Sequence, residues 1–207
     1  LKYGALVKVK VDNMRNQHDA QVQKENTTAD LPREAKKFGI IAVVAGEGLA
    51  KIFKSQGVDY IISGGQTMNP STEDIVKAIE SVKAESIIIL PNNKNIFMAA
   101  QSAADVVDVP AAVVETRTIP QGLTSLLAFN AANSLEDNLV AMTESLTDVV
   151  SGSVTRAVRD TTIDGLDIHK DDILGMVNGK ILVSNPDMDQ VLHQLFKKMI
   201  AEDSEIV

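Results

Sequence analysis

Three turns concentrate hydrogen-bonding side chains in one recurring position of the sequence: Ser63-Gly64-Gly65-Gln66-Thr67-Met68-Asn69-Pro70, Pro91-Asn92-Asn93-Lys94-Asn95 and Thr116-Arg117-Thr118-Ile119-Pro120-Gln121-Gly122. Their chemistry is that of binding. Consecutive glycines at 64 and 65 let backbone N–H groups converge on an anion or a partner carbonyl, while Ser63, Gln66, Thr67 and Asn69 add neutral hydrogen bonds. Asn92, Asn93 and Lys94 supply amides and an ammonium, and Asn95 is placed to cap the helix that follows. Arg117 has the planar fork that grips a carboxylate or phosphate, or it is an ordinary surface arginine; Thr116, Thr118 and Gln121 flank it. Taken one at a time, each turn is also explained by loop and cap chemistry. Their common placement favours a binding surface made of Ser63, Gly64, Gly65, Gln66, Thr67, Asn69, Asn92, Asn93, Lys94, Thr116, Arg117, Thr118 and Gln121.

The placement comes from the elements around the turns. Tyr60-Ile61-Ile62, Ile87-Ile88-Ile89-Leu90 and Ala111-Ala112-Val113-Val114 are short apolar runs, each leading through one of these turns into a helical pattern. With Ile40 to Val44 leading into Gly48 to Gln56, they make four strand-helix units, which predict a parallel sheet with right-handed crossovers. The helices are expected over Thr72 to Lys83, Ile96 to Val107 and Gln121 to Ala132, with a further one from Leu135 to Val149. In a parallel sheet all three turns leave the carboxyl ends of the strands, the rim where open α/β sheets bind ligands. Ser71 followed by Asp74 is an acidic capping box ahead of Ile75, Val76 and Ile79, and Gly57 closes the preceding helix.

Beyond Ser151-Gly152-Ser153 the pattern changes to short period-two runs. Val154 to Asp160 reads as a strand, and Gly165, Gly175 and Asn178-Gly179 read as turns of an antiparallel segment before a helix from Met188 to Ala201. The fold class is therefore α/β, with parallel βα units followed by a mixed α+β segment. The domain reading is an opening strand and mobile connector over residues 1–37, an α/β subdomain over 38–150 and an α+β subdomain over 151–207. Leu1 to Val11 alternates as a half-exposed strand, and Asp12 to Arg33 reads as a polar connector or a partial helix. The absence of an initiating Met, and Glu205-Ile206-Val207 as the first step of another strand, make the sequence read as a piece of a longer protein, truncated at its carboxyl end.

Composition excludes several chemistries. A net charge of −8, without a lysine and arginine cluster, argues against a nucleic-acid backbone as partner and fits a cytoplasmic protein. The sequence has no cysteine, so thiol nucleophiles, disulfides and cysteine zinc sites are out, and His18, His169 and His193 lack metal-ligand spacing. No run of about 18 apolar residues is long enough for a membrane span. The expected rim holds no histidine and no tight carboxylate pair; Glu73 and Glu115 fall on different units. A nucleotide reading of Ala45-Gly46-Glu47-Gly48 is weak, because Lys51 stands where a third glycine belongs and Glu47 would face a pyrophosphate.

The run from Ile41 through Gly48, the segment Ser63 through Thr72, Leu90 through Asn95 and Thr116 through Gly122 together resemble the carboxyl-terminal region of the dihydroxyacetone-kinase-like bacterial fatty acid kinases, over nearly the whole sequence. The resemblance implies a noncatalytic domain that docks a separate fatty-acid-binding protein. It places ATP and magnesium in an amino-terminal domain, with no cofactor in this piece, and allows a dimer through a central zinc-bearing domain. The assembly would phosphorylate a fatty acid carboxylate to an acyl phosphate for phospholipid synthesis. It also implies an α/β architecture shared with the fatty-acid-binding partner. A competing reading is enzymatic, a phosphate or nucleotide site built from the Gly64-Gly65 turn and Arg117. A third is a structural dimerisation module.

Overall fold

The apolar runs between Lys36 and Val113 pair side by side and all in the same direction. The computed structural model describes residues 36–65 and 69–200. Gln66, Thr67 and Met68, the strand and connector expected within residues 1–35, and Glu205-Ile206-Val207 lie outside the described residues. The first sheet consists of β1 (Lys36–Val44), β2 (Tyr60–Ser63), β3 (Ala84–Leu90) and β4 (Ala111–Val113). They are linked by α1 (Glu47–Ser55), α2 (Thr72–Ser81) and α3 (Phe97–Val106), and followed by α4 (Ile119–Ala128) and α5 (Leu135–Glu144). Pairing is parallel throughout, in the order β2-β1-β3-β4.

That order follows from which face each helix covers. Ile40, Ala42, Val44, Ile88 and Leu90 point to one face, where Phe53 of α1, Leu126 of α4 and Met142 of α5 meet them. Ile41, Val43, Ile87 and Ile89 point to the other, against Ile75, Ala78 and Ile79 of α2 and Ala100 and Ala103 of α3. Strands covered on both sides need apolar residues at every position, which is why these runs show no alternation. Each fully buried isoleucine in them contributes about 1.5–3 kcal/mol. The chain leaves β1 in one direction to form β2 and returns past it to form β3, so the sheet has its switch point between β1 and β3.

Local signals set several boundaries. Ser71 and Asp74 form the expected reciprocal capping box at the start of α2. Gly57, at φ 94°, follows α1 and donates to Lys54 O. Two helices are shorter than expected. α4 stops at Ala128 rather than Ala132 because the buried amide of Asn138 takes up the next backbone: its Oδ1 accepts from Asn130 N at 2.8 Å and its Nδ2 donates to Asn130 O at 2.9 Å. α5 stops at Glu144 rather than Val149, where Ser145 and Thr147 hydroxyls bond back to Met142 O and Glu144 O and the backbone tightens to three-residue turns. Asn95 does not cap α3, which starts after Ile96; Asn93 Oδ1 instead accepts from Asn95 N at 2.9 Å.

The rest of the described chain is antiparallel. β5 (Gly152–Arg156), β8 (Ile173–Val177) and β9 (Lys180–Asn185) form one sheet, and β6 (Thr161–Ile163) pairs with β7 (Leu166–Ile168). The helix α6 (Met188–Met199) packs Val191 and Leu195 on the larger sheet. Asn178-Gly179 makes the expected two-residue turn between β8 and β9, both residues at positive φ (49° and 82°). Gly175 is not a turn, contrary to expectation: it lies inside β8, where a Cβ would come within 3.1 Å of Val191 and 3.3 Å of Leu195.

Asp172 fastens this segment internally. Its Oδ2 accepts from His169 N at 3.0 Å and from the Ser184 hydroxyl at 2.9 Å, while its carbonyl accepts from Ala157 N at 2.8 Å. The His169 N–H, followed by the Ser184 hydroxyl, holds the carboxyl below the ordinary carboxylate range against the opposing effect of burial. A carboxylate whose pKa is lowered by folding stabilises fully above its unfolded value of about 3.9, and that contribution disappears as pH falls through the lower folded value. Asp172→Asn should therefore be less stable than the parent at neutral pH and lose less stability on acidification below about pH 4. Thermal melts across that range check it; parallel acid profiles would show that Asp172 is not responsible.

Candidate functional site

The carboxyl ends of β1 to β4 form one continuous rim, and a buried asparagine ties it together. Asn92 follows β3 with φ 54° and is only 7% exposed. Its backbone N–H donates to Thr116 Oγ1 at 3.0 Å, beyond β4, and its Nδ2 donates to Val43 O at 3.1 Å, at the end of β1. The Oδ1 has no hydrogen-bond donor among the described residues and rests against Gly122 in the first turns of α4. A side chain on Gly122 would overlap that amide, so glycine there is a packing requirement. On the far side of the rim, Gly64 N donates to Val44 O at 3.2 Å, and Gly65 lies against Ala45.

The expected binding residues thus divide into two groups. Asn92 and Thr116, the latter 0% exposed, are buried and hold the turns in place, as is Gly64; they cannot present a surface in this arrangement. Ser63, Asn69, Lys94 and Arg117 are exposed, with Gly65, Asn93, Thr118 and Gln121 half-buried behind them. Gln66 and Thr67 lie outside the described residues.

The half-buried Thr118 and Gln121 are engaged in shaping the turn after β4. Thr118 caps α4 by accepting from Gln121 N at 3.3 Å, and Gln121 Oε1 accepts from Arg117 N at 2.8 Å. The Arg117 guanidinium is itself engaged, donating from Nε and Nη2 to Glu115 Oε1 at 3.2 and 2.6 Å, with the side chain still 63% exposed. The sequence signal for this pair is their i, i+2 spacing on extended backbone, which puts both side chains on one side. Thr118 also lies 2.7 Å from Ser151 Oγ, a link that spans 33 residues and has no local signature.

These contacts weigh against a phosphate cradle. The Gly64 N–H that would face an anion already serves Val44 O, and the arginine that would grip it is partnered by Glu115. Among the described residues no three His, Cys, Asp or Glu side chains are grouped so as to hold a metal ion. The residues present therefore do not fit a magnesium nucleotide. No helix among the described residues is long and apolar enough to cross a membrane.

A parallel α/β sheet whose carboxyl rim offers amides, an ammonium and a guanidinium, joined to an antiparallel segment with one packed helix, defines the class: a mixed α/β domain with a polar rim. The chain belongs to the FakA-like C-terminal family, the carboxyl-terminal domain of fatty acid kinase subunits, whose model matches residues 39–207. It is similar to proteins of Staphylococcus aureus strains USA300, N315 and MRSA252, each named only as an uncharacterized protein, at 50% identity over 206 residues. Those matches cover 100% of this chain but 38% of each relative, so the chain spans well under half the length of the curated relatives it matches.

The rim's frame is open to a direct test. Gly122→Ala should destabilise by about 1–3 kcal/mol through overlap with the Asn92 amide. In an Asn92→Gly background, where the positive φ is kept and the amide is gone, the same substitution should cost much less. Urea unfolding of the four variants measures this coupling; additive effects would disprove the contact's importance.

Proposed function

We propose that this chain is the partner-docking domain of a fatty acid kinase. In this reading the rim residues Ser63, Asn69, Asn93, Lys94 and Arg117 receive a fatty-acid-loaded binding protein, with residues 38–150 as the platform and 151–207 as its flank. ATP and magnesium bind elsewhere in the full-length protein, which transfers the terminal phosphoryl group to the fatty acid carboxylate and releases ADP and an acyl phosphate for phospholipid synthesis. A cytoplasmic location, and a dimer formed through another part of the protein, belong to the same reading.

The observation that carries it is the combination of family membership with a rim whose solvent-facing groups are donors and amides on a braced frame. Such groups suit recognition of another surface, where Arg and amide contacts provide orientation. The enzymatic alternative is less supported, since the glycine turn and Arg117 are already engaged within the chain.

Combining Asn93→Ala, Lys94→Ala and Arg117→Ala in the full-length protein should weaken binding to a purified fatty-acid-binding protein, loaded with a long-chain fatty acid, by roughly tenfold or more. ATP affinity should be unchanged. Titration calorimetry with both ligands measures this; unaltered partner affinity, or a loss confined to ATP, would refute the docking assignment.

A further inference from the structure

We infer that the docking surface continues past the edge of the parallel sheet onto the tip of the β8–β9 hairpin, where Lys180 meets a carboxylate of the same protein partner. The inference rests on the docking reading of the rim and assigns it a second element.

The hairpin tip is fixed to the rim by three hydrogen bonds. The Thr118 hydroxyl lies 2.7 Å from Ser151 Oγ, Ser151 N donates to Asn178 Oδ1 at 2.9 Å, and Asn178 N donates to Ser151 O at 2.8 Å. Ser151 is only 7% exposed, so this junction is largely shielded from water. The turn it holds is a two-residue type with both central residues at positive φ, matched to the twist of its strands and therefore stiff. Ser151 bridges directly between Thr118 and Asn178, which puts the tip on the order of 10–15 Å from Thr118, given consecutive Cα atoms about 3.8 Å apart. An ordinary protein interface covers about 800 Å² on each partner, a patch about 30 Å across. A partner seated over Arg117 and Thr118 therefore reaches Asn178, Gly179 and Lys180, which are all exposed.

Charge indicates what the tip would meet. Lys180 has a side chain 67% exposed, and its nearest carboxylate, Asp164, is 3.9 Å away, at the outer limit of an ion pair. Lys94 and Arg117 lie on the adjoining rim, Arg117 partly neutralised by Glu115. On a chain with a net charge of −8, these three cations mark a stretch suited to an acidic protein surface.

The test uses Lys180→Glu in the full-length protein, with Lys83→Glu as control, since Lys83 is exposed before β3 at the opposite edge of the sheet. Affinity for the fatty-acid-loaded binding protein is measured by calorimetry at low and moderate salt, after circular dichroism has established that both variants are folded. Lys180→Glu should weaken binding about five- to tenfold and flatten its salt dependence, with Lys83→Glu close to the parent. If both charge reversals behave like the parent while Arg117→Ala weakens binding, the hairpin extension is wrong and docking at the rim stands. If Arg117→Ala also leaves binding unchanged, or the parent does not bind, the docking reading fails and the extension with it. Should Lys180→Glu disturb the fold, Lys180→Gln under the same measurement decides between these outcomes.

Discussion

The rim depends on where one amide is buried. Asn92 sits at the switch point of the sheet, where β1 and β3 separate toward opposite faces, and two strand ends would otherwise leave backbone groups unpaired. Its side chain satisfies the Val43 carbonyl, and its backbone is satisfied by Thr116, so three strand ends are held together. That arrangement requires a positive φ at Asn92 and the lack of a side chain at Gly122. It also leaves the Asn92 Oδ1 without a donor among the described residues, a penalty of about 1–3 kcal/mol. The frame is thus held by polar groups withdrawn from solvent, and the groups facing solvent are free of that task.

Much of this frame was legible in the sequence, and the limit of legibility is physical. Uninterrupted runs such as Ile87-Ile88-Ile89-Leu90 identify strands covered on both faces, and four strand-helix repeats require parallel pairing. Ser71 with Asp74, and Asn178 with Gly179, fix a helix start and a hairpin by interactions within four residues. The placement of all three polar turns at one edge followed from direction alone. What sequence could not divide was Asn92 from Asn93, or Thr116 from Arg117. Neighbours in one polar turn look equivalent until strand order decides which faces the adjoining strand, and strand order is a long-range property. The same holds for Thr118 and Ser151, which meet only after two helices have packed.

Helix ends failed for a related reason. Periodicity extends as far as apolar residues recur, so α4 and α5 read long. Their ends are set by side chains that compete for the backbone: Asn138 for the loop at Asn130, Ser145 and Thr147 for the last carbonyls of α5. Gly175 shows the converse error, because a glycine kept for close packing under Val191 and Leu195 carries the same letter as one kept for a turn.

Stiffness is what joins these features to recognition. A surface that must order its loops upon contact gives up part of its binding free energy, at about 0.5–1.5 kcal/mol for each side chain immobilised. On this rim Arg117 is held by Glu115 through two guanidinium nitrogens, its backbone is held by Gln121, and the adjoining turn is capped by Thr118. Remaining N–H groups of the guanidinium can meet an acceptor from a position already fixed. The nearby Glu115 carboxylate also sets a condition on that acceptor. A partner group must either share the guanidinium with Glu115 or displace it, so an approaching carboxylate gains most when it comes from the side that Glu115 leaves open. Orientation of the partner, more than raw affinity, is what such a half-satisfied arginine on a rigid frame would determine.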